Sequence, residues 1–336
     1  MAGLRQNGFF DRVAGGLLRR TSRVHSLVLI LVFLCFFFSM LITNDVALLT
    51  FVPFSMYILE YAGHQDLLVP VVVLQTLAAN LGSMLTPIGN PQNLYLYGLS
   101  AMSMGDFLIL MLPYSAFTAL LLLITIAFVV HNKDGAIQVN LSENPSLDDA
   151  SSDNLTTAAS QSRTHIHIAV YSLLFLLAIL VVVRILPWTV LAGCTLVIVF
   201  FMERPILGSV DYALLLTFIG FFIFTGNMGK VPFISDALTY LVNGHEEALG
   251  ILLSQAISNV PAALLLSGFT TSYRSLILGV NLGGLGTLIA SMASLISYKF
   301  VAHAYNEKKG SYFAFFTVMN LVYLVLLIGL SLIIGG

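Results

Sequence analysis

Two segments of this chain are copies of one another. Asn80 to Tyr97 reads NLGSMLTPIGNPQNLYLY and Asn281 to Tyr298 reads NLGGLGTLIASMASLISY. They lie 201 positions apart and align without a gap, with seven of 18 positions identical: Asn80/Asn281, Leu81/Leu282, Gly82/Gly283, Thr86/Thr287, Ile88/Ile289, Leu94/Leu295 and Tyr97/Tyr298. Shared apolar composition could match the leucines and isoleucines, but it would not hold Asn, Gly and Thr in register. A polar, glycine-broken segment used twice in an apolar chain points to two inverted halves whose site lies where they meet, the architecture of secondary transporters.

The rest of the chain fits that frame. Apolar residues make up 58% and charged residues 9%, against roughly 25% charged in soluble domains, so the chain reads as an all-α, multi-pass membrane protein whose surroundings are the lipid bilayer. Helices are predicted over 68–99, 107–130, 166–186, 188–202, 212–228, 276–301 and 313–334, the 188–202 run being short for roughly 30 Å of hydrocarbon. Cys35 and Cys194 both sit in apolar runs, which suits packing and implies neither a disulfide nor a thiolate metal site. The net charge of −2 carries no information about partners, and no nucleic-acid partner is expected.

A second correspondence precedes the first in each half. Thr43-Asn44-Asp45-Val46-Ala47-Leu48-Leu49 lines up with Ser258-Asn259-Val260-Pro261-Ala262-Ala263-Leu264, each a polar break between apolar arms of about 15 residues. Arms that short do not cross a bilayer comfortably, so 27–60 and 248–269 are read as re-entrant hairpins with tips near mid-membrane. Each half then runs hairpin, broken helix (68–99, 276–301), spanning helix (107–130, 313–334).

The flanks complete the organisation. Residues 1–26 carry five arginines with apolar positions at helical spacing and no small-residue cleavage site, so they are read as an amphipathic helix on the cytoplasmic surface. The hydrophilic stretch 131–164 is read as a cytoplasmic linker between a first repeat, 27–130, and a second, 165–336. Two glycosylation-pattern tripeptides in it, at Asn140 and Asn154, are discounted on that placement. With both hairpins non-crossing, Lys and Arg divide 11 to 3 between the two sides, in keeping with the positive-inside rule and an external C-terminus. Three apolar segments stand ahead of the second hairpin and none ahead of the first, so the first repeat is expected to lack its leading helices.

Backbone without helical hydrogen bonds is tolerated in hydrocarbon only where protein or a cavity surrounds it. Four such places are expected: two hairpin tips, and the breaks Thr86–Pro91 and Gly283–Thr287. Half-helix N-termini there favour anions and freed carbonyls suit Na⁺. The candidate substrate or ion ligands are Thr43, Asn44, Asp45, Thr86, Gly89, Asn90 and Asn93 in one half, and Ser258, Asn259, Asn281, Gly286, Thr287 and Ser291 in the other; Na⁺ could lie at Asn44 and Asn259. The plainer alternative is that the amides and hydroxyls are interhelical glue and the glycines allow close packing. Asp45 stands out as the one acidic residue expected far from an interface, able to bind a cation or carry a proton, whereas Val260 is its counterpart. No Lys or Arg falls in the inferred core, and neither HExxH nor G-x-S-x-G occurs, so no enzyme is indicated.

At TNDVALLTFVPF (43–54), NLGSMLTPIGNPQN (80–93), SNVPAALLL (258–266) and NLGGLGTLIASMASL (281–295), the chain resembles the ion transporter superfamily of divalent anion:sodium symporters and citrate-type and arsenite permeases. The resemblance implies an inverted-repeat homodimer that moves substrate by an elevator-like shift of the hairpin domain. Sodium-coupled dicarboxylate members carry Ser-Asn-Thr at both tips; the Asn44-Asp45 tip is more similar to the arsenite-permease branch, where proton coupling is the usual expectation. The reading is therefore a secondary transporter of a small anion or arsenite-like oxyacid coupled to H⁺ or Na⁺, in a prokaryotic cytoplasmic membrane. A Na⁺/H⁺ antiporter using Asp45 is the same-fold alternative; a channel or non-transporting scaffold is the alternative of another class.

Overall fold

The computed structural model describes residues 23–131, 173–174, 176–202 and 230–335, with single positions between 212 and 227. The surface helix expected over 1–26 and the linker expected over 131–164 fall almost entirely outside the described residues, as do Asn140 and Asn154; the runs 166–186 and 212–228 are described only in part.

The described elements are helices: α1 (Val24–Ile42), α2 (Asn44–Tyr61), α3 (Leu68–Ser83), α4 (Pro91–Leu99), α5 (Met104–Val130), α6 (Trp188–Met202), α7 (Pro232–Val242), α8 (Glu246–Ile257), α9 (Asn259–Ser267), α10 (Tyr273–Leu282), α11 (Met292–Ala304) and α12 (Lys309–Gly335). Short 3₁₀ turns occupy Gln65–Leu67, Pro87–Gly89 and Asn306–Lys308. Four helical stretches among the described residues are long and apolar enough to cross a membrane: Val24–Ile42, Gln65–Ser83, Met104–Val130 and Asn306–Ile334. The chain divides into two compact units, one of Met1–Asn140 with Phe221–Gly336 and one of Leu141–Gly220. The second holds α6; every residue discussed below belongs to the first.

α3 is the centre of that first unit. Fifteen of its 16 residues are buried, Pro70 being the exception, and it packs against α1, α2, α5, α11 and α12. A helix apolar on all sides either packs inside protein or faces lipid, and α3 is the enclosed case. Its few polar groups face helices rather than lipid: Gln75 donates to the Leu31 carbonyl at 3.0 Å and to Ser55 Oγ at 2.7 Å. α12 lays Tyr312, Phe316, Asn320, Tyr323 and Leu327 inward, and Tyr323 shares a 2.9 Å hydrogen bond with Thr125 of α5.

Local sequence sets where the helices begin. Asn90 caps α4 by accepting from the Asn93 amide at 3.1 Å, with Pro91 in the first turn, and Ser103 and Asp106 form a reciprocal capping box at the start of α5. α7 was not separated by the apolar-run reading; Pro232 at its first position marks its start.

The arms of the two hairpins differ in length more than the sequence suggested. α1 and α2 have 19 and 18 residues, about 29 and 27 Å at the helical rise, whereas α8 and α9 have 12 and 9, about 18 and 14 Å. The apolar run of α2 continues through Pro53 to Tyr61, while α9 stops at Ser267-Gly268. Arm length therefore does not fix the depth of the first tip.

Candidate functional site

Both hairpins turn on a hydroxyl residue in the same unusual conformation. Thr43 has φ 72° and ψ 150°, and Ser258 has φ 74° and ψ 154°. This region is essentially reserved for glycine, so each residue stores strain of about 1–3 kcal/mol that the surrounding contacts must hold. The strained residue is followed by Asn44 in one half and Asn259 in the other, each the first residue of a helix and each 5% exposed.

Against each tip lies a broken helix. Between α3 and α4 the chain passes through 84–90, and between α10 and α11 through 283–291. Thr86 Oγ1 donates to the Met40 carbonyl of the first hairpin; Thr287 Oγ1 donates to the Gln255 carbonyl of the second at 3.2 Å. Met40 and Gln255 are 215 positions apart, the spacing of Asn44 and Asn259, and Thr86 and Thr287 are 201 apart, the spacing of the duplicated segments. The same correspondence holds for packing. A Cβ on Gly82 would meet the Phe36 carbonyl and, at 2.8 Å, Ser39 Oγ; a Cβ on Gly283 would meet the Gly250 carbonyl at 2.8 Å and Ser254 Oγ at 2.5 Å. Ser39 and Ser254 again stand 215 positions apart. Only glycine lets the hairpin arm approach this closely.

Where the halves meet, buried amides and hydroxyls join them. Asn80 Oδ1 accepts from Asn44 Nδ2 at 3.1 Å and from Ser291 Oγ at 3.0 Å, and Asn80 Nδ2 donates to Ser294 Oγ at 3.3 Å. Asn281 Oδ1 accepts from Asn90 Nδ2 at 3.2 Å, and Asn281 Nδ2 donates to Asn93 Oδ1 at 2.6 Å. Adding 201 to Asn90 and Asn93 gives Ser291 and Ser294, so each copy of the motif reaches the other through equivalent positions. All these side chains are at most 6% exposed. Unpaired, they would be costly in this setting; paired, they are satisfied across the two halves.

The two tips converge on consecutive residues. Asn44 reaches Ser291 through Asn80, and the backbone N–H of Asn259 donates to the Ala290 carbonyl at 2.9 Å. Asn259 also lies against Gly284, whose absent Cβ would stand 2.9 Å from the Asn259 side-chain nitrogen. Asp45 follows on the first tip; its backbone amide donates to Asn44 Oδ1 at 2.9 Å, while its carboxylate Oδ1 is buried with no hydrogen-bond partner. A carboxylate oxygen in that position has capacity to accept a proton or contact a cation.

The sequence-derived candidates thus separate by environment. Asn44, Asn90, Asn93, Asn259, Asn281 and Ser291 are buried, and Asn90, Asn93, Asn281 and Ser291 are joined by side-chain hydrogen bonds across the halves, with Asn44 bonded to Asn80 in its own half; Gly89 and Gly286 are buried in the breaks; Thr43, Asp45, Thr86 and Ser258 are half-buried; Thr287 is exposed. Three participants were missed. Asn80 and Ser294 sit inside the duplicated motif, and alignment with Asn281 and Asn93 would have found them. Gln255 has no such signal, because its counterpart is Met40.

Helices long and apolar enough to cross a membrane, two matched breaks and a buried polar junction are those of an all-α membrane protein. The chain belongs to the citrate transporter family, whose model matches residues 1–273. It is similar to an uncharacterized transporter of Methanocaldococcus jannaschii, 31% identical over 298 residues, covering 88% of this chain and 76% of the relative. It is also similar to the inner membrane protein YbiR of Escherichia coli, 29% identical over 304 residues, covering 88% of this chain and 75% of that protein.

Proposed function

We propose that this chain is a secondary active carrier of a small anion, of the polycarboxylate or oxyacid kind, coupled to H⁺ or Na⁺ and built as two inverted repeats. One observation carries the reading: Asn80 and Asn281, equivalent in sequence, bind equivalent residues of the opposite copy. An exchange of this kind favours two structurally equivalent halves joined at a common polar junction, which is where carriers of this architecture hold substrate. With no Lys or Arg among the joined side chains, an anion would be held by amide and hydroxyl donors and by backbone dipoles at the starts of α2, α4, α9 and α11. Membership of the citrate transporter family makes citrate the first compound to try, with arsenite next.

Asp45 is the group proposed to carry coupling. Its unpartnered buried oxygen also favours a second reading, a Na⁺/H⁺ antiporter, in which that oxygen binds the two cations in turn. The elevator-like shift of the hairpins, a homodimer and a prokaryotic cytoplasmic membrane complete the proposal; the bacterial relative's name supports the last.

The test is flux in proteoliposomes of defined lipid. Saturable uptake of citrate, another di- or tricarboxylate or arsenite that follows an imposed pH or Na⁺ gradient supports the carrier. Cation exchange without any anion would replace it by the antiporter, and ohmic current without coupling, or no flux of any kind, would overturn both.

A further inference from the structure

Among the differences between the two hairpins near their tips, one lies against an unwound helix. Gln255 and Met40 are counterparts, and each offers its backbone carbonyl to the counterpart threonine, Thr287 or Thr86. Their side chains differ in kind. Gln255 Nε2 lies 3.1 Å from the Ile251 carbonyl and 2.9 Å from each of the Gly283 and Leu285 carbonyls. An amide nitrogen has two hydrogens, so three carbonyl oxygens converge on a donor that can serve only two fully. Three oxygens around one electropositive centre, two of them from a broken helix, is an arrangement suited to Na⁺. The other end of the same side chain is also engaged, since Gln255 Oε1 accepts from the Thr287 N–H at 2.9 Å. Gly286, at φ +105°, leaves the space in which the amide fits.

In the first half the counterpart carbonyls are served separately. Ser39 Oγ donates to Phe36 at 2.8 Å, Asn93 Nδ2 donates to Met84 at 3.3 Å, and the Leu85 N–H donates to Gly82 at 3.1 Å. The methionine side chain at position 40 has no N–H to bring these oxygens together, and the adjoining tip carries Asp45 where the second tip carries Val260.

We propose that the Gln255 amide is a tethered stand-in for a cation in the second half, so that this carrier binds its coupling ion only in the first half. The charge asymmetry of the tips and the filled carbonyl cage then have one meaning. A chain with duplicated halves couples to one ion rather than two, and the second half is held rigid by its own side chain. This rests on the carrier reading for its meaning in transport, but the cage and its occupant stand on geometry alone.

The decisive measurement is equilibrium ²²Na⁺ binding to the purified full chain, with choline as the replacement ion. At saturation the parent binds at most one Na⁺ per chain; two would overturn the proposal. Gln255→Met, which copies position 40, and Gln255→Glu, which exchanges the donor for an oxygen, are each expected to bind one Na⁺ more than the parent and to gain a saturable Na⁺-dependent rise in melting temperature. Folded variants with the parent's Na⁺ count and melting response would overturn it equally. None of these readouts requires transport, so failure to move any anion would count against the carrier reading and leave the result on Gln255 intact.

Discussion

Asn281 donates to the side-chain oxygen of Asn93 at 2.6 Å, and the same contact recurs 201 positions away as Asn80 to Ser294 at 3.3 Å. A broken helix cannot satisfy its own backbone, and an amide in its last turn cannot be left bare in an apolar interior. Each copy answers both demands by bonding to the start of the other's second half-helix.

Removing Asn281 should therefore cost more than removing a residue that makes a single bond at the junction. Interhelical hydrogen bonds in membranes average about 0.6 kcal/mol and reach about 1.7. Asn281→Ala loses bonds to both Asn90 and Asn93 and strands their polar atoms, so a loss of about 1–2 kcal/mol is expected. Ser294→Ala, which removes only the acceptor for Asn80 Nδ2, should cost about half as much or less. Reversible unfolding in bicelles measures both, and equal costs would contradict the shared role given to Asn281.

Glycine positions give a contrast within one chain. Gly284→Ala would drive a Cβ against the Asn259 nitrogen at 2.9 Å, and Gly82→Ala would drive one into the Phe36 carbonyl and Ser39 Oγ. Both should lower the melting temperature and, if the junction is the substrate site, reduce flux. Gly98 lies within α4 with nothing within 4 Å of its absent Cβ, so Gly98→Ala should stabilise by about 0.5–1 kcal/mol. Thermal melts of the three proteins in one detergent check the ordering.

Much of this arrangement was legible in the sequence, and the limits have physical causes. Asn, Gly and Thr in register announced two matched breaks, because only polar and flexible residues mark a break inside an apolar run. Thr43 and Ser258 were visible as tips, but their positive φ was not, since neither is glycine. Arms of about 15 residues were expected in both hairpins, whereas α1 and α2 are longer and α8 and α9 shorter, because composition marks a polar tip but not where an apolar helix ends. Gln255 stayed hidden because its role comes from where α8 meets the second break, and a single polar residue in an apolar helix does not reveal which carbonyls it will face.

The strained tips make a prediction of unusual sign. Thr43→Gly and Ser258→Gly each place glycine where backbone geometry already favours it, at φ 72° and 74°. Relief of about 1–3 kcal/mol is available at each site, offset by the greater freedom of glycine in the unfolded chain. Ser258→Gly also gives up the 3.4 Å contact to the Ala290 carbonyl, which is long for a hydrogen bond. A rise in melting temperature at both positions is expected, and a fall at both would mean that the side chains, rather than the backbone, hold the tips.

Asp45 offers the sharpest separation of binding from coupling. Its buried carboxylate oxygen has no partner, so Asp45→Asn removes the charge while keeping the size and leaves the Asn44 to Asn80 hydrogen bond available. Substrate exchange, which needs no driving ion, should continue in the variant. Accumulation against a gradient should fall by about fivefold or more, the lower end of ordinary coupling between sites, and lose its dependence on external pH or Na⁺. Paired measurements of counterflow and gradient-driven uptake in the same proteoliposomes distinguish the outcomes. Loss of both activities would make Asp45 a substrate ligand, and full retention of both would move the coupling group elsewhere in the chain.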